Sequence, residues 1–202
     1  MSNRYKLVET LGLDRPAPEV ARRLLGSELV RLCSGGEARV KIVETEAYRE
    51  GDPASHSCSG ATERSKVMFG PPGFWYIYLC YGVHWMINVV CGPEGSGEAV
   101  LIRAASPVSG RSFLEKNRSC SGVELTNGPG KLARALAING NFNARPCLPE
   151  TNFFLAPRPA VDIVYESPRV GISDGREKFW RFYTESDYVS EAQQNVDGRC
   201  RD

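Results

Sequence analysis

The chain has 202 residues, 25 Lys and Arg against 24 Asp and Glu, and a formal net charge of +1. That length supports a real core in one large domain or two small ones, and the apolar, charged and aromatic fractions are those of an ordinary globular protein. Near-neutrality argues against binding nucleic acid through bulk charge, so a nucleic-acid surface here must concentrate its cations locally.

The N-terminal residues 1–16 read as a polar, mobile lead-in ending at Asp14-Arg15-Pro16. They lack the apolar stretch of a signal peptide, and no run in the chain is long enough to span a bilayer. The expected location is therefore the cytoplasm, with the nucleoid in a bacterium, or the nucleus in a eukaryote. Seven cysteines, at 33, 58, 80, 91, 120, 147 and 200, form no C-x-x-C pair. They fit reduced thiols better than a disulfide frame or a zinc cluster.

Pro18 to Leu25 has apolar residues at helical spacing, with Gly26 as a stop. Glu28–Cys33 reads as a strand, and Gly35-Gly36 turns it into a second strand, Glu37–Tyr48. Regular alternation places Lys41, Val43, Thr45 and Ala47 on one face and Ile42, Glu44, Glu46 and Tyr48 on the other. Two carboxylates and a phenol on one strand face are unusual where a sheet packs. Residues 49–73 form a long Gly/Pro/Ser-rich connection carrying His56, one of two histidines, together with Arg64 and Lys66. Connections of this length are uncommon unless functional.

Two β-prone runs follow, 74–81 and 84–91, joined at Gly82-Val83, with Tyr81 stranded in the turn. AVLIRAA (99–105) is a buried strand ending in the charge of Arg103, which needs a carboxylate, a phosphate or water. Residues 107–119 read as a short helix. Asn127 is placed to cap a further helix, LARALAI, and the turn Gly128-Pro129-Gly130-Lys131 before it offers free N–H groups and a cation suited to a phosphate. As a motif this turn is weak and does not match the nucleotide-triphosphate loop. After a Pro-rich connection, 160–165, 169–172 and 180–184 read as short strands, and the tail from Ser190 as frayed. With no repeat and no dividing linker, residues 1–202 are taken as one domain.

His56, Glu44 and Glu46 offer metal ligands in principle, but their spacing matches no metal motif, and the expectation is that no metal or cofactor is required. There is no G-x-S-x-G elbow and no cysteine with an evident histidine partner. Carboxylate chemistry remains. Glu46 beside aromatics suits activation of a water at an oxocarbenium-like centre. Tyr48, His56, Tyr76 and Tyr78 suit a flat, positively charged ring held by stacking, although ordinary strand packing accounts for any one tyrosine alone.

The segments IVETEAY, DPASH, VMFGPPG, YIYLCYGVHWMINVV, VLIRAA, NGPGKLARALAI and RVGI, in that order, resemble the 3-methyladenine (alkyladenine) DNA glycosylase family. The resemblance runs from about Ala21 to about Ser190. It implies an α+β fold: a single compact domain with a curved, largely antiparallel sheet, several short helices and a β-hairpin that protrudes into DNA. It implies double-stranded DNA with a damaged purine as the partner, no membrane, a monomer, and a monofunctional enzyme of base excision repair.

By motif position it also implies roles. Tyr81 would be the wedge filling the gap left by the extruded nucleotide. Tyr48 would wall one side of the base slot, and His56 with Tyr78 the other. Glu46 would deprotonate a water that Arg103 and the Val170 carbonyl help to hold. Asn88 would crowd a guanine-type amino group at the pocket floor, and Tyr76 would support the cage. Lys131, with the amides of Gly128 to Gly130, would grip a phosphate, and Arg64 would face DNA. Glu44 would serve structure or a network. The chain departs from the family pattern at Thr62-Glu63-Arg64, where Thr-Pro-Arg is expected, and at Cys58, where a larger or basic residue is common. A non-catalytic nucleic-acid-binding relative, or a hydrolase of small nucleosides using Glu44 and Glu46 together, are the alternatives.

Overall fold

The computed structural model describes residues 3–190; the expectation for the tail at 191–202 lies outside the described residues. Eight antiparallel strands form one sheet: β1 (Glu28–Cys33), β2 (Gly36–Tyr48), β3 (Trp75–Cys80), β4 (His84–Cys91), β5 (Glu98–Ser109), β6 (Phe153–Ala156), β7 (Tyr165–Ser167) and β8 (Arg181–Tyr183). The main order is β3-β4-β5-β2-β1-β6. β1 pairs with β2 from Gly36 to Lys41 and β8 pairs with it from Glu44 to Glu46. The sheet curls into a half-barrel, and with its helices forms one compact α+β domain. No described helix is long and apolar enough to cross a membrane.

Among the described residues four α-helices accompany it: α1 (Asn3–Leu11), α2 (Ala17–Leu24), α3 (Arg111–Arg118) and α4 (Pro129–Ala135). The described part of the lead-in thus holds a helix. Leu7 and Leu11 of α1 enter the core, and Gly12, at φ +63°, turns the chain toward α2. Val20, Ala21 and Leu24 of α2 pack there too, one turn apart.

The sheet has two distinct faces. Trp75 and Ile77 of β3, Ile87, Val89 and Cys91 of β4, and Val100 and Ile102 of β5 belong to the main core. The residues between them, Tyr76 and Tyr78, Asn88, and Leu101 and Arg103, point to the opposite face. β2 does not keep a single alternation. Ala38, Val40 and Ile42 are core residues, but so is Ala47, and the Thr45 hydroxyl donates to Ala21 O of α2 at 2.9 Å. The parity changes because the β2–β5 register slips on both sides of Glu44. Ile42 therefore joins the core instead of sharing a face with Glu44, as regular alternation predicts.

Other expectations are corrected by what the backbone does. β5 runs through Pro107 and Ser109 before α3 starts, so only Arg111–Arg118 of the predicted 107–119 helix is helical. β6 lies in the stretch read as a Pro-rich connection, and is fixed by pairing with β1. Residues 169–172 are a loop, and of the 160–165 run only Tyr165 is in a strand. Asn127 does not cap α4: Gly128 occupies that position without a side-chain bond. The Asn127 Oδ1 instead accepts from Lys131 Nζ at 2.8 Å.

Candidate active site

The face opposite the core carries the site. Tyr76 is in register with Asn88, Asn88 with Leu101, and Leu101 with Glu46, so four strands deliver one lateral row of side chains. Above this row lies a cavity of about 360 Å³, lined by Tyr48, His56, Tyr76, Tyr78, Tyr81, Asn88, Arg103 and Val170 among others. Residues separated by more than 120 positions meet there, the size is that of a small-molecule site, and four tyrosines and a histidine line it.

Glu46 is fully buried and sits behind the lining. Its Oε2 accepts from the Tyr48 hydroxyl at 2.8 Å and from an Arg103 N–H at 3.2 Å. Its Oε1 accepts from the Val170 N–H at 2.7 Å. The group of Val170 that touches Glu46 is thus its amide, while the expectation assigned a role to its carbonyl. Burial, then the Glu46 charge, pushes the Tyr48 phenol well above its ordinary value, so it stays a donor. Burial would lower the Arg103 guanidinium, but the Glu46 and Glu44 carboxylates outweigh it and hold it higher still.

The two glutamates are not equivalent. Neither carboxylate lines the cavity itself, but Glu46 is bonded to three residues that do, Tyr48, Arg103 and Val170, and Glu44 to Arg103 alone. Glu44 accepts from Arg103 Nε at 2.9 Å, Arg181 Nε at 2.6 Å, Ser190 N at 2.6 Å and the Ser190 hydroxyl at 2.8 Å.

The aromatic wall is built by pairwise contacts. His56 Nδ1 is 2.9 Å from the Tyr76 hydroxyl, and its ring meets Tyr78 edge-on at 4.6 Å. Burial, with the Arg64 charge adding to it, pushes the imidazole down to about 4, so it is neutral near pH 7. Tyr76 is raised to about 12, chiefly by burial. Arg64 lies with its guanidinium 4.9 Å from the Tyr78 ring, which places it against the slot wall. Asn88 Nδ2 donates to Tyr76 O at 2.9 Å, so the amide is locked to β3.

Three residues that shape the site went unread in the sequence. Arg169 stacks over Tyr48 at 4.8 Å and forms a buried fork with Asp52 of the 49–73 connection. Arg181 and Ser190 complete the Glu44 network. No local pattern links Asp52 to Arg169 across 117 positions. Ser55 and Ser57 tie the same connection down: their hydroxyls are 2.8 Å apart, and Ser57 donates to Gly97 O at 2.6 Å. This is why a Gly- and Ser-rich stretch is ordered.

At the cavity mouth stands the β3–β4 turn. Val83 N–H donates to Cys80 O at 3.0 Å, and both Tyr81 (φ +49°) and Gly82 (φ +70°) are left-handed. Tyr81 is 94 % exposed, with Leu79 and Val83 also exposed beside it, so the hairpin ends in an apolar tip. Gly130 packs α4 against this hairpin; a Cβ there would meet His84 at 2.9 Å. Of the Gly128–Lys131 turn only Pro129 lines the cavity, and Lys131 Nζ is paired with Glu124 at 2.6 Å. Glu63 is paired with Lys66 at 2.7 Å, which offsets the charge that the loop gains there. Among the described residues, no three His, Cys, Asp or Glu side chains gather as a metal-binding group.

The site thus combines a buried carboxylate, a cavity walled by aromatic rings and an exposed aromatic turn at its mouth. The profile of the methylpurine-DNA glycosylase (MPG) family matches residues 12–188. A Rhodopseudomonas palustris protein is 46% identical over 169 residues, covering 83% of this chain and 80% of its own length. A Salinibacter ruber protein is 43% identical over 199 residues, covering 89% and 94%. One from Chlorobaculum parvum is 44% identical over 181 residues, covering 87% and 86%. All three bear the provisional name 3-methyladenine DNA glycosylase. The chain belongs to the methylpurine-DNA glycosylase family, whose members are hydrolases of N-glycosyl bonds acting on DNA in repair.

Proposed function

We propose that the protein, acting as a monomer, extrudes an alkylated or deaminated purine from duplex DNA and hydrolyses its N-glycosidic bond with a water activated by Glu46. The observation that carries this reading is the placement of the Glu46 carboxylate directly behind the Tyr48 wall of an aromatic cavity. Tyr81, projecting from the hairpin beside that cavity, enters the minor groove and takes the space of the extruded nucleotide. The base slides between Tyr48 and the His56–Tyr78 wall, with Asn88 at the floor and Tyr76 behind His56. An N3- or N7-alkylated purine is cationic, so it stacks well on electron-rich rings and leaves easily.

As the C1′–N bond breaks, positive charge develops on the sugar. Glu46 stabilises that charge and accepts the proton of the attacking water. Arg103 and Tyr48, both donating to Glu46 Oε2, fix the carboxylate so that Oε1 is the basic oxygen left with only the Val170 amide. The Val170 carbonyl and Arg103 help to hold the water. Among the described residues no lysine lines the cavity to attack C1′ and form a Schiff base, so water takes the sugar and the product is an intact strand with an abasic site. Lys131 and the amides of Gly128 and Gly130 contact a DNA phosphate, Lys131 exchanging Glu124 for it.

The test is release of labelled bases from duplexes that each carry one defined lesion, set beside the same lesions as free nucleosides. Release from duplex only supports the reading. Release from free nucleosides in preference to duplex favours a small-nucleoside hydrolase, and binding without release favours the non-catalytic relative.

A further inference from the structure

Behind the cavity, Glu44 and Glu46 share a buried cluster with two guanidiniums. Glu44, Glu46, Arg103, Arg181 and Ser190 are all at most 7% exposed. Two carboxylates so placed repel each other unless cations stand between them. Two arginines balance them. Arg103 spends its three corners on three partners: Nε on Glu44, one N–H on Glu46 at 3.2 Å, and the other on the Ser190 hydroxyl at 3.2 Å. Arg181 gives its Nε to Glu44, an N–H to Ser190 O at 2.9 Å and another to the Ser167 hydroxyl at 3.2 Å, and makes no bond to Glu46.

We propose that Glu44 is a positioning residue that sets the base strength of Glu46: it holds the Nε of both Arg181 and Arg103, so that Glu46 meets a single guanidinium N–H. This rests on the reading of Glu46 as the base. Take away the Glu44 charge and two guanidiniums face one carboxylate. Glu46 then holds its negative charge more firmly and takes a proton less readily. Arg103, released at Nε, is also free to rotate toward a two-pronged grip on Glu46 that would cover the oxygen needed by the water.

The groups facing the pair are few. Tyr48 comes from β2, Arg103 from β5, and Arg181 from β8. The Val170 amide comes from the 168–180 segment, whose Arg169 is held by Asp52 and lies over Tyr48. Across the cavity stand His56, Tyr76, Tyr78 and Arg64. None of these last four pairs with Glu44, so a change at Glu44 reaches the chemistry through Arg103, Arg181 and Ser190.

The experiment is the pH dependence of single-turnover base release from a duplex with an N7-alkylated purine. That leaving group is already cationic, so the acid limb reports the enzyme's base. Glu44→Gln keeps the shape and loses the charge. It is expected to move the acid limb about one unit lower and to cut the plateau rate about tenfold. Arg181→Gln removes the other side of the balance and is expected to move the limb higher. The double variant, with one carboxylate and one guanidinium, is expected to bring the limb back toward the parent. A residue with a merely structural role would lower the rates of all three without moving any limb, and that result overturns the proposal. Should Glu44→Gln not fold, Arg181→Gln alone decides: a limb shifted upward supports the proposal and an unmoved one contradicts it. Glu46→Gln is run alongside. If it is inactive while the limbs stay fixed, only the role of Glu44 falls; if it releases base at the parent rate, the reading of Glu46 as the base falls first.

Discussion

At the scale of single residues, the slot depends on neutral rings that charged neighbours help to keep neutral. His56 is pushed down to about 4 by burial first and by Arg64 second. Protonating it costs more in the folded protein than in the unfolded chain. Its contribution to stability is therefore complete above its ordinary value of about 6.5 and is lost as pH falls from there toward 4. Arg64→Gln is expected to raise the His56 midpoint part of the way back. With only two histidines in the chain, an imidazole titration by NMR reads this directly. Tyr81 shows the opposite economy: an aromatic that is almost wholly exposed and held at positive φ. A left-handed non-glycine residue costs roughly 1–2 kcal/mol, a strain of the kind kept at functional sites. Tyr81→Gly is expected to unfold no more easily than the parent and yet to release base more slowly, because the wedge is gone. Equal turnover in that variant would remove Tyr81 from the mechanism.

At the scale of elements, the decisive feature is the slipped register in β2. It lets one strand send Ile42 into the core and Glu44, Glu46 and Tyr48 to the other face. A strict two-residue period puts Ile42 on the wrong side, since a bulge leaves no mark in a pattern of apolar residues. Glu46, Tyr48 and His56 stood out in the sequence because charge and aromatics crowd one strand and its following loop. Arg169, Arg181 and Ser190 did not, because their partners Asp52 and Glu44 lie more than a hundred residues away in the chain. β6 escaped for a related reason: four residues after a proline make a strand only because β1 is there to pair with them.

The ordering of the 49–73 connection tests this view. Burial would raise the Asp52 carboxyl, but bonds from Arg169 and Lys178 hold it below its ordinary value. Its stabilising contribution is present above about pH 3.9 and is lost as pH falls through the lowered value. Asp52→Asn leaves Arg169 buried without a counter-charge and is expected to cost about 3 kcal/mol in chemical unfolding. The same change should loosen the Tyr48 wall, on which Arg169 lies.

At the scale of the whole molecule, a net charge of +1 is reconciled with a DNA substrate by pairing. Lys131 rests on Glu124 and Lys66 on Glu63, so these cations are held by acidic neighbours, and the proposed function has Lys131 exchange Glu124 for a phosphate. Lys131→Ala is expected to weaken duplex binding about equally for every lesion and to lower the salt slope by about one, measured by titration across ionic strengths. A lesion-dependent effect would place Lys131 nearer the base than the phosphate. The sheet then has two jobs: its core face is covered by the helices, and its other face presents the aromatic cavity, the Glu46 carboxylate behind it and the exposed Tyr81 turn at its mouth. The central claim is that Glu46 performs the chemistry. It is tested by single-turnover base release and duplex binding for Glu46→Gln on an alkylated-purine duplex. The expected result is binding close to that of the parent with release reduced by at least about a hundredfold, the scale of a lost general base. Release at the parent rate would contradict it.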